Sequence, residues 1–415
     1  MEVRAGAGPR QQTVTALMAE LASAAGRQDP YPVYARLREL APVACLPAEQ
    51  MACLTRYEDC AAVPRDGRLG AQGPAFMDAT APGWRDHPGL RATHESFVFR
   101  DPPEHTRLRR LVAGWFTQRR AEELRAFIER RTAVILAALA DATSDGGVAD
   151  LHDLLATTLP IAVISKVVGV PEADQRALRT PLEGLRLAVD GSSRATSLAA
   201  IDSGGQALIS YFAGLAGQRR EQPRDDLVSA LVAVRDGASP PLSEDELLQS
   251  LALIFSAAIE SMADLLLNAV AALLAFPAQA GRLRADPGLA GPAATEALRY
   301  DPPVQAIGRI TASALELGGT AIPAGTLVLA MIGAANRDPA AYPDPDAFRI
   351  GRAGPAPLSF GGGVHHCLGA PLARLEAAIF LPALLRGFPG LAHASPPVRR
   401  GFVLRGFAAF PVITR

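Results

Sequence analysis

The sequence is poor in the features that would place it outside the ordinary globular class. Only four of its 415 residues are cysteines, and Cys45, Cys53, Cys60 and Cys367 form no CxxC pair. This spacing indicates neither a zinc ribbon nor a disulfide framework, so we expect reduced thiols. An excess of charge is also missing, because 41 basic and 42 acidic residues leave a net charge of −1. No global attraction to nucleic acid or to an anionic membrane is expected.

Long hydrophobic runs are missing as well. The longest stretch without a charged residue, Leu317 to Asn336, is interrupted by Pro323 and several glycines, so it predicts no membrane-spanning helix. The N-terminal segment contains no apolar core of a secretory signal. We therefore expect a cytoplasmic protein that binds neither membrane nor nucleic acid, and we expect it to be a monomer.

Helical periodicity dominates the rest of the chain. Apolar residues recur at intervals of three and four in five segments, which are Tyr31 to Glu39, Arg107 to Ala140, Leu151 to Val168, Gln206 to Arg220 and Glu244 to Phe276. Strand-like runs occupy Val43 to Tyr57 and Arg309 to Ile332, and irregular Gly- and Pro-rich stretches occupy Asp66 to Arg91, Pro339 to Gly363 and Ala394 to Gly401. With 49% hydrophobic residues, this pattern predicts a mainly α protein with small β-sheets. Because no linker or repeat divides it, we expect one domain over residues 1–415.

A cysteine lies in the glycine-rich segment Phe360 to Gly369, which runs directly into the amphipathic stretch APLARLEAAIFLPALL. Backbone N–H groups at the start of a helix stabilise a thiolate, so Cys367 is suited to exist as an anion. On these residues alone the sulfur is a nucleophile, a redox thiol, a metal ligand or an ordinary buried cysteine. The neighbouring His365 and His366 are too close along the chain to give a clear base for a nucleophile.

Four residues of this segment, Phe360, Gly363, Cys367 and Gly369, resemble the haem-binding signature of the cytochrome P450 family. The resemblance implies a large helical body with small β-sheets, and haem b (iron protoporphyrin IX) held between a long distal helix and the helix that follows the cysteine loop. It also implies that Cys367 is the thiolate ligand of the iron. Such a thiolate donates electron density to the iron and favours O–O cleavage.

The resemblance continues upstream of the cysteine. Glu296 and Arg299 form an ExxR pair on one helix face, followed by YDPPVQAIGR, AIPAGTLV and AANRDPAAYPDPDAF in the order that the family shows. Ala347 stands where many members carry an arginine that completes the ExxR ion network, and Arg352 is the candidate substitute. The resemblance implies that this network is structural.

Further positions match residues that hold the haem propionates in the family. The segment DPPEHTRLRRLV contributes His105 and Arg109, whose i,i+4 spacing lets both side chains face one anion. Arg309 and His365 match two more propionate-contacting positions. We therefore expect these four residues to bind the cofactor.

The stretch SLALIFSAAIESMADLLLNAV matches the distal helix of the family. Glu260 and Ser261 occupy the positions of the acid and the alcohol that relay protons, although serine replaces the usual threonine and Ala258 replaces the usual glycine. The alternative is that Ser256, Glu260, Asp264 and Asn268 form a polar stripe without a catalytic role. By position, the candidate substrate pocket consists of Phe255, Ala258, Met262, Val304, Ile307 and Phe407.

The implied activity is that of a haem-thiolate monooxygenase, which inserts one atom of O2 into a small to medium hydrophobic substrate, in the tailoring of a secondary metabolite. No nicotinamide or flavin fingerprint occurs in the chain, so we expect electrons from a ferredoxin and an NAD(P)H-dependent ferredoxin reductase. A basic surface for the donor is predicted from Arg107, Arg110, Arg119, Arg120 and Arg374. Two alternatives are oxidative coupling, cyclisation or rearrangement without net oxygen insertion, and a haem sensor without turnover.

Overall fold

The computed structural model describes residues 9–156, 158–190, 194–237 and 242–414. For residues 9, 10, 156 and 194–196 the description covers the backbone alone. Helices account for most of these residues, which confirms the mainly α prediction. They are α1 (Pro9–Ala22), α2 (Ala24–Gln28), α3 (Tyr31–Leu40), α4 (Tyr57–Ala62), α5 (Pro74–Thr80), α6 (Pro88–His94), α7 (Glu104–Ala113), α8 (Gln118–Glu123), α9 (Arg125–Thr143), α10 (Leu151–Ala156), α11 (Leu159–Val168), α12 (Arg179–Asp190), α13 (Arg194–Glu221), α14 (Leu227–Gly237), α15 (Glu244–Ala275), α16 (Pro277–Ala285), α17 (Ala290–Tyr300), α18 (Ile332–Ala335) and α19 (Ala370–Gly387).

The strands are short and form small sheets around the helical body. They are β1 (Val43–Leu46), β2 (Met51–Leu54), β3 (Leu69–Gly70), β4 (Ala149–Asp150), β5 (Ile307–Thr311), β6 (Leu315–Leu317), β7 (Thr320–Ile322), β8 (Leu327–Ala330), β9 (Leu391–His393), β10 (Val398–Arg400), β11 (Gly406–Ala409) and β12 (Pro411–Thr414). The largest sheet has the order β1-β2-β8-β5-β3, in which β2 and β8 are parallel. The smaller sheets are β4-β12-β9, β10-β11 and β6-β7.

Helix α15 is the centre of the largest hydrophobic cluster. It begins with a capping box, in which the Ser243 side chain accepts from the Glu246 N–H and the Glu246 carboxylate accepts from the Ser243 N–H, both at 3.1 Å. Most of its side chains pack against α10, α11, α17 and α19. Between Leu247 and Val270, burial is interrupted around 256–261, where Ser256, Ala257, Ala258, Glu260 and Ser261 are at least partly exposed. Small and polar residues at these positions open one place along an otherwise buried helix.

The structure corrects several predicted boundaries. The periodic segment from Arg107 to Ala140 is divided into α7, α8 and α9, because Thr117 starts a new helix by accepting from the Arg120 N–H. The C-terminal strands β9 to β12 were not predicted from the sequence, and β10 lies inside the stretch expected to be irregular. Two segments, Leu151–Val168 and Glu244–Ala275, are apolar enough by composition to cross a membrane, but they are mostly buried within the fold, as core helices are.

The β10-β11 hairpin is fastened to the helical body at its turn. The Asp190 carboxylate, at the end of α12, accepts three backbone N–H groups, from Phe402, Val403 and Leu404, at 2.8 to 3.0 Å. The strand before the turn carries Arg399 and Arg400, whose side chains reach α15. The hairpin is therefore fixed between α12 and the distal helix.

Candidate active site

The loop before α19 holds its cysteine in a defined backbone geometry. Gly361 and Gly363 have φ of 64° and 61°, in the left-handed region that glycine tolerates. A Cβ at Gly363 would lie 2.0 Å from the Pro64 carbonyl O, so a side chain does not fit there. The Cys367 N–H donates to the Phe360 carbonyl O at 2.9 Å, which closes the loop. The sequence interpretation of these glycines agrees with their geometry.

Opposing influences act on the Cys367 thiol. The residue as a whole is exposed, yet protein atoms crowd the sulfur. Desolvation therefore raises the pKa of Cys367, while the backbone N–H groups of Gly369 and Ala370 and the guanidinium groups of Arg109 and Arg374 lower it. The same N–H groups and arginines would stabilise a thiolate once a cation binds the sulfur, because a coordinating thiol is deprotonated.

Two histidines that were predicted to hold the cofactor meet beside this loop. The rings of His105, on α7, and His365 have centroids 4.1 Å apart. Within the described part of the chain, both nitrogens of His105 and the Nε2 of His365 are buried without a hydrogen-bond partner. Burial, followed by the positive charges around it, lowers the pKa of His365 to about 3. Unpaired buried nitrogens of this kind are costly unless a ligand satisfies them.

Two arginines surround the same histidines. The side chain of Arg309 donates to the Gly308 carbonyl O at 2.8 Å, and Arg109 donates to the His366 carbonyl O at 2.6 Å. Neither arginine has a carboxylate within ion-pair distance among the described residues. Burial lowers the pKa of both guanidinium groups. The two imidazoles and the two guanidinium groups, which have no carboxylate partner among the described residues, thus fit a ligand with acidic groups. The propionates of a haem are such groups, and Cys367 would bind the iron of that haem.

The ExxR pair lies in the core. Arg299 is 1% exposed and binds both oxygens of Glu296, at 2.8 Å each. It also donates to the carbonyl groups of Asn336, Pro345 and Ala347 at 2.8 to 3.1 Å. A second arginine, Arg352, approaches Glu296 at 3.3 Å. The candidate substitute named from the sequence therefore does complete the network around Ala347.

On α15, the predicted acid and alcohol are adjacent but engaged elsewhere. The Ser261 hydroxyl donates to the Ala257 carbonyl O at 2.6 Å. Glu260 pairs with Arg400 of β10 at 2.5 Å. The same Arg400 nitrogen lies 3.2 Å from Asp264. The polar stripe that was the alternative interpretation therefore exists, since Asn268 also bonds to Arg399 at 2.5 Å.

Sequence reasoning did not identify Arg400, and Asp264 entered only as a member of that stripe. Their juxtaposition depends on the β10-β11 hairpin, for which no clear strand pattern was found. A further buried acid, Glu376 on α19, was also missed. Desolvation raises its pKa well above the ordinary range, and its Oε2 has no partner. The signal in the sequence that could have revealed Glu376 is an acidic residue within the apolar face of a predicted helix.

The predicted pocket residues divide into two groups. Phe255, Met262 and Phe407 are 0%, 4% and 1% exposed and belong to the main core, where Phe255 packs on Phe212 with ring centroids 5.7 Å apart. These three side chains are packed in the core, and their place in a substrate pocket stays a prediction. Ala258, Val304 and Ile307 are partly exposed. The Ile307 side chain lies 3.4 Å from the position of a Cβ at Gly361, so it is next to the cysteine loop.

The predicted basic surface is smaller than its sequence suggests. Arg107 is paired with Glu246, Arg119 with Glu123, and Arg120 with Glu123 and Asp225. Arg110 and Arg374 are exposed, and no carboxylate lies within ion-pair distance of either among the described residues. The Arg374 guanidinium lies 4.7 Å from the centre of the Phe360 ring. Arg374, beside the cysteine loop, is therefore left without an acidic partner among the described residues.

Comparison with known proteins identifies the family of this chain. The sequence model described as "Cytochrome P450" matches residues 293–398. The monooxygenase PikC of Streptomyces venezuelae is 37% identical over 92% of this chain and 91% of its own length, and the 6-deoxyerythronolide B hydroxylase of Saccharopolyspora erythraea is 35% identical over 92% and 96%. The crystal structure of Mycobacterium smegmatis CYP164A2 with econazole bound has a TM-score of 0.86 at 34% identity, covering 96% of this chain and all of that one. The chain belongs to the cytochrome P450 family, whose members are haem-thiolate monooxygenases.

Proposed function

We propose that residues 1–415 form a single monooxygenase domain, cytoplasmic and monomeric, which inserts one oxygen atom from O2 into a hydrophobic secondary metabolite. One observation supports the cofactor site above all. Beside an accessible cysteine loop, His105 and His365 present buried nitrogens without partners, and Arg109 and Arg309 present guanidinium groups without carboxylates. A hydrophobic substrate suits the apolar, partly exposed side chains of Ala258, Val304 and Ile307. The names of the relatives, among them 6-deoxyerythronolide B hydroxylase, favour a tailoring reaction.

In this proposal each residue has a defined task. Cys367 binds the iron as a thiolate, and Arg109, Arg309, His105 and His365 bind the propionates. When bound, the haem supplies the activation of dioxygen, which consumes two electrons and two protons and leaves the second oxygen atom as water. Ser261 and Glu260 would relay protons, as the alcohol and the acid of the family do. The partly exposed side chains near 256–261 leave room for oxygen and substrate.

We propose that electrons come from a ferredoxin and its NAD(P)H-dependent reductase, docked on the side of the cysteine loop. The exposed guanidinium groups of Arg110 and Arg374, with that of Arg65 near Gly362, form this proposed surface. An acidic donor would be attracted to it although the whole chain is nearly neutral. The paired arginines Arg107, Arg119 and Arg120 are left out of this surface.

The test of the ligand is spectroscopic and uses a second thiol as its control. Haem-loaded parent protein, reduced with dithionite and exposed to carbon monoxide, is expected to show the red-shifted Soret band of cysteinate ligation. Cys367→Ala should abolish that band, whereas Cys45→Ala, a partly buried thiol on β1, should keep it. Retention of the band in Cys367→Ala would refute the assignment. Product formation from a substrate library with surrogate ferredoxin and reductase then tests the oxygenase reaction.

A second candidate function is oxidative coupling, cyclisation or rearrangement without net oxygen insertion. The observation that favours it is the engagement of the two relay residues, since Ser261 bonds to Ala257 and Glu260 to Arg400. Reactions of this kind depend less on a fixed proton route. Incubation of the substrate under labelled dioxygen decides between the two, because label in the product indicates oxygen insertion.

A further inference from the structure

The contact between β10 and α15 places two carboxyl groups on one guanidinium nitrogen. The Arg400 Nη2 lies 2.5 Å from Glu260 and 3.2 Å from Asp264. Because the two acids are four residues apart, they lie one above the other on the same helix face. One arginine charge can neutralise only one of them. The other carboxyl group must either remain an uncompensated charge or hold a proton.

Asp264 is the member of the pair that is sealed from solvent. It is 0% exposed, whereas the Glu260 side chain is 18% exposed. The Asp264 Oδ2 is buried and has no hydrogen-bond partner among the residues that the structure describes. A charged carboxylate oxygen in that position would be strongly unfavourable, and a protonated one is much less so. The proton therefore belongs to Asp264 and the charge to Glu260.

The hairpin is shaped around this carboxyl group. A Cβ at Gly406, on β11, would lie 1.6 Å from the Asp264 Oδ1 and 2.0 Å from its Cγ. Only glycine leaves room for the aspartic acid against the strand. The arrangement thus joins one residue of α15, an arginine of β10 and a glycine of β11.

Other ionisable groups face the pair from each neighbouring element. Arg399 lies next to Arg400 on β10, Glu183 and Arg186 face it from α12, and His152 faces it from α10. Glu183 is occupied by Arg186, at 2.6 Å, and lies 3.7 Å from Arg400. Burial lowers the pKa of His152, so this imidazole is neutral near pH 7. Burial, opposed by Arg400 and assisted by Glu260, raises the pKa of Asp264 to about 7.

We propose that Asp264 stores a proton for Glu260, and that Arg400 positions Glu260 by exchanging its ion pair between the two carboxyl groups. Before the proton is transferred, Asp264 is neutral and Arg400 holds the Glu260 carboxylate away from the distal side of the haem site. When the proton passes from Asp264 to Glu260, Asp264 becomes the carboxylate, and Arg400 pairs with it. The summed charge of the three side chains is unchanged and no electron moves. The neutral Glu260 is then released to turn toward Ser261. The inference rests on the proposed monooxygenase function.

The first test reads the proton directly and needs no turnover. Haem-loaded protein carrying ¹³C-labelled aspartate is titrated between about pH 5 and about pH 9 by infrared difference spectroscopy. We expect a protonated aspartic acid carbonyl band that disappears as the pH rises through about 7. The band should be missing in Asp264→Asn and present in Asp226→Asn, which alters another buried aspartate, paired with Arg219 at 2.6 Å. A parent spectrum without the band would overturn the proposal.

The second test follows the use of the proton. With surrogate ferredoxin and reductase, the parent should couple oxygen consumption to product formation less well as the pH rises through about 7, because Asp264 then loses its proton. Asp264→Asn should lose this pH dependence, with turnover lower by up to about 10²-fold. Arg400→Gln should change the profile as well, Arg400→Lys should restore it in part, and Asp226→Asn should match the parent.

The outcomes separate the inference from the proposed function. If Asp264→Asn retains the cysteinate band with carbon monoxide and also the pH profile of the parent, Asp264 is only structural and the proposal is wrong. If the parent forms no product with any substrate or donor, the proposed function fails. The infrared titration then still decides whether Asp264 holds a proton beside Glu260, because it requires neither substrate nor electrons.

Discussion

At position 261 the distal helix offers a hydroxyl group whose hydrogen bond is already in use. The Ser261 Oγ donates to the Ala257 carbonyl O at 2.6 Å, which is the bond that serine makes to its own helix. To serve bound oxygen, the side chain must give up this acceptor. Serine also lacks the second Cβ substituent that restricts χ1 in threonine. The hydroxyl is therefore aimed less firmly than a threonine hydroxyl would be.

Substitution of Ser261 tests this consequence. We expect Ser261→Ala to raise the fraction of consumed oxygen that is released as hydrogen peroxide, with a smaller effect on substrate binding, and Ser261→Thr to lower that fraction. Peroxide yield per oxygen consumed is the measurement. Thr295→Ala serves as a control, because it removes a similar bond, to Gly291 at 3.1 Å, on the exposed face of α17. Equal peroxide yields in the parent and both Ser261 variants would show that the hydroxyl has no part in the relay.

At the scale of elements, a buried cluster of hydrogen bonds helps to hold the segment between α18 and α19. Arg352 is 7% exposed at its side chain and bonds to Glu296 as well as to the carbonyl groups of Pro343, Asp344 and Ala347. These bonds connect the irregular chain to α17, the helix that carries the ExxR pair. The position of the cysteine loop therefore depends on an arginine fifteen residues before Cys367.

Removing Arg352 should weaken the fold more than removing its neighbour. Arg352→Ala leaves Glu296 paired with Arg299 but removes the charged donor to Glu296 and to three carbonyl groups, and the free energy of unfolding is expected to fall by about 1.5–3 kcal/mol. Arg349→Ala breaks an ion pair with Asp344 whose side chains are 53% and 58% exposed, and should cost less than about 1 kcal/mol. Chemical denaturation of both variants, followed by the Soret absorbance, gives the comparison. Similar losses in the two variants would contradict the proposed importance of the buried network.

The sequence allowed the helical elements and the cysteine loop to be predicted, because each depends on neighbouring residues. The capped helix α15 is an example, since the predicted Glu244 to Phe276 and the observed Glu244–Ala275 differ by one residue. Contacts between distant segments were not predictable in the same way. Arg400 reaches Glu260 across 140 positions through a three-residue strand, and a strand that short has no clear alternation. The core positions of Phe255 and Phe407 likewise depend on how the hairpin and α13 pack on α15.

At the scale of the whole molecule, the net charge is close to zero although the charges are unevenly distributed over the surface. The net charge is −1. Arg107 on α7 and both Arg119 and Arg120 on α8 are paired with acids, whereas Arg65 and Arg374, beside the cysteine loop, have no carboxylate within ion-pair distance among the described residues. Exposed charges act over about 10 Å at moderate ionic strength. A local cationic surface can therefore direct an acidic electron donor even though the molecule as a whole attracts none.

Charge reversal at two exposed arginines separates the local surface from the total charge. Arg374→Glu and Arg119→Glu change the net charge equally, but Arg374 lies beside the cysteine loop and Arg119 is paired with Glu123 on α8. We expect Arg374→Glu to raise the apparent KM for ferredoxin by about tenfold at low salt, and the difference from the parent to shrink as salt screens the contact. Arg119→Glu should change it little. The reduced carbon monoxide spectrum should stay unchanged in both, since neither side chain binds the iron. Equal effects of the two substitutions would indicate that ferredoxin responds to the total charge, and the proposed docking surface beside Cys367 would be wrong.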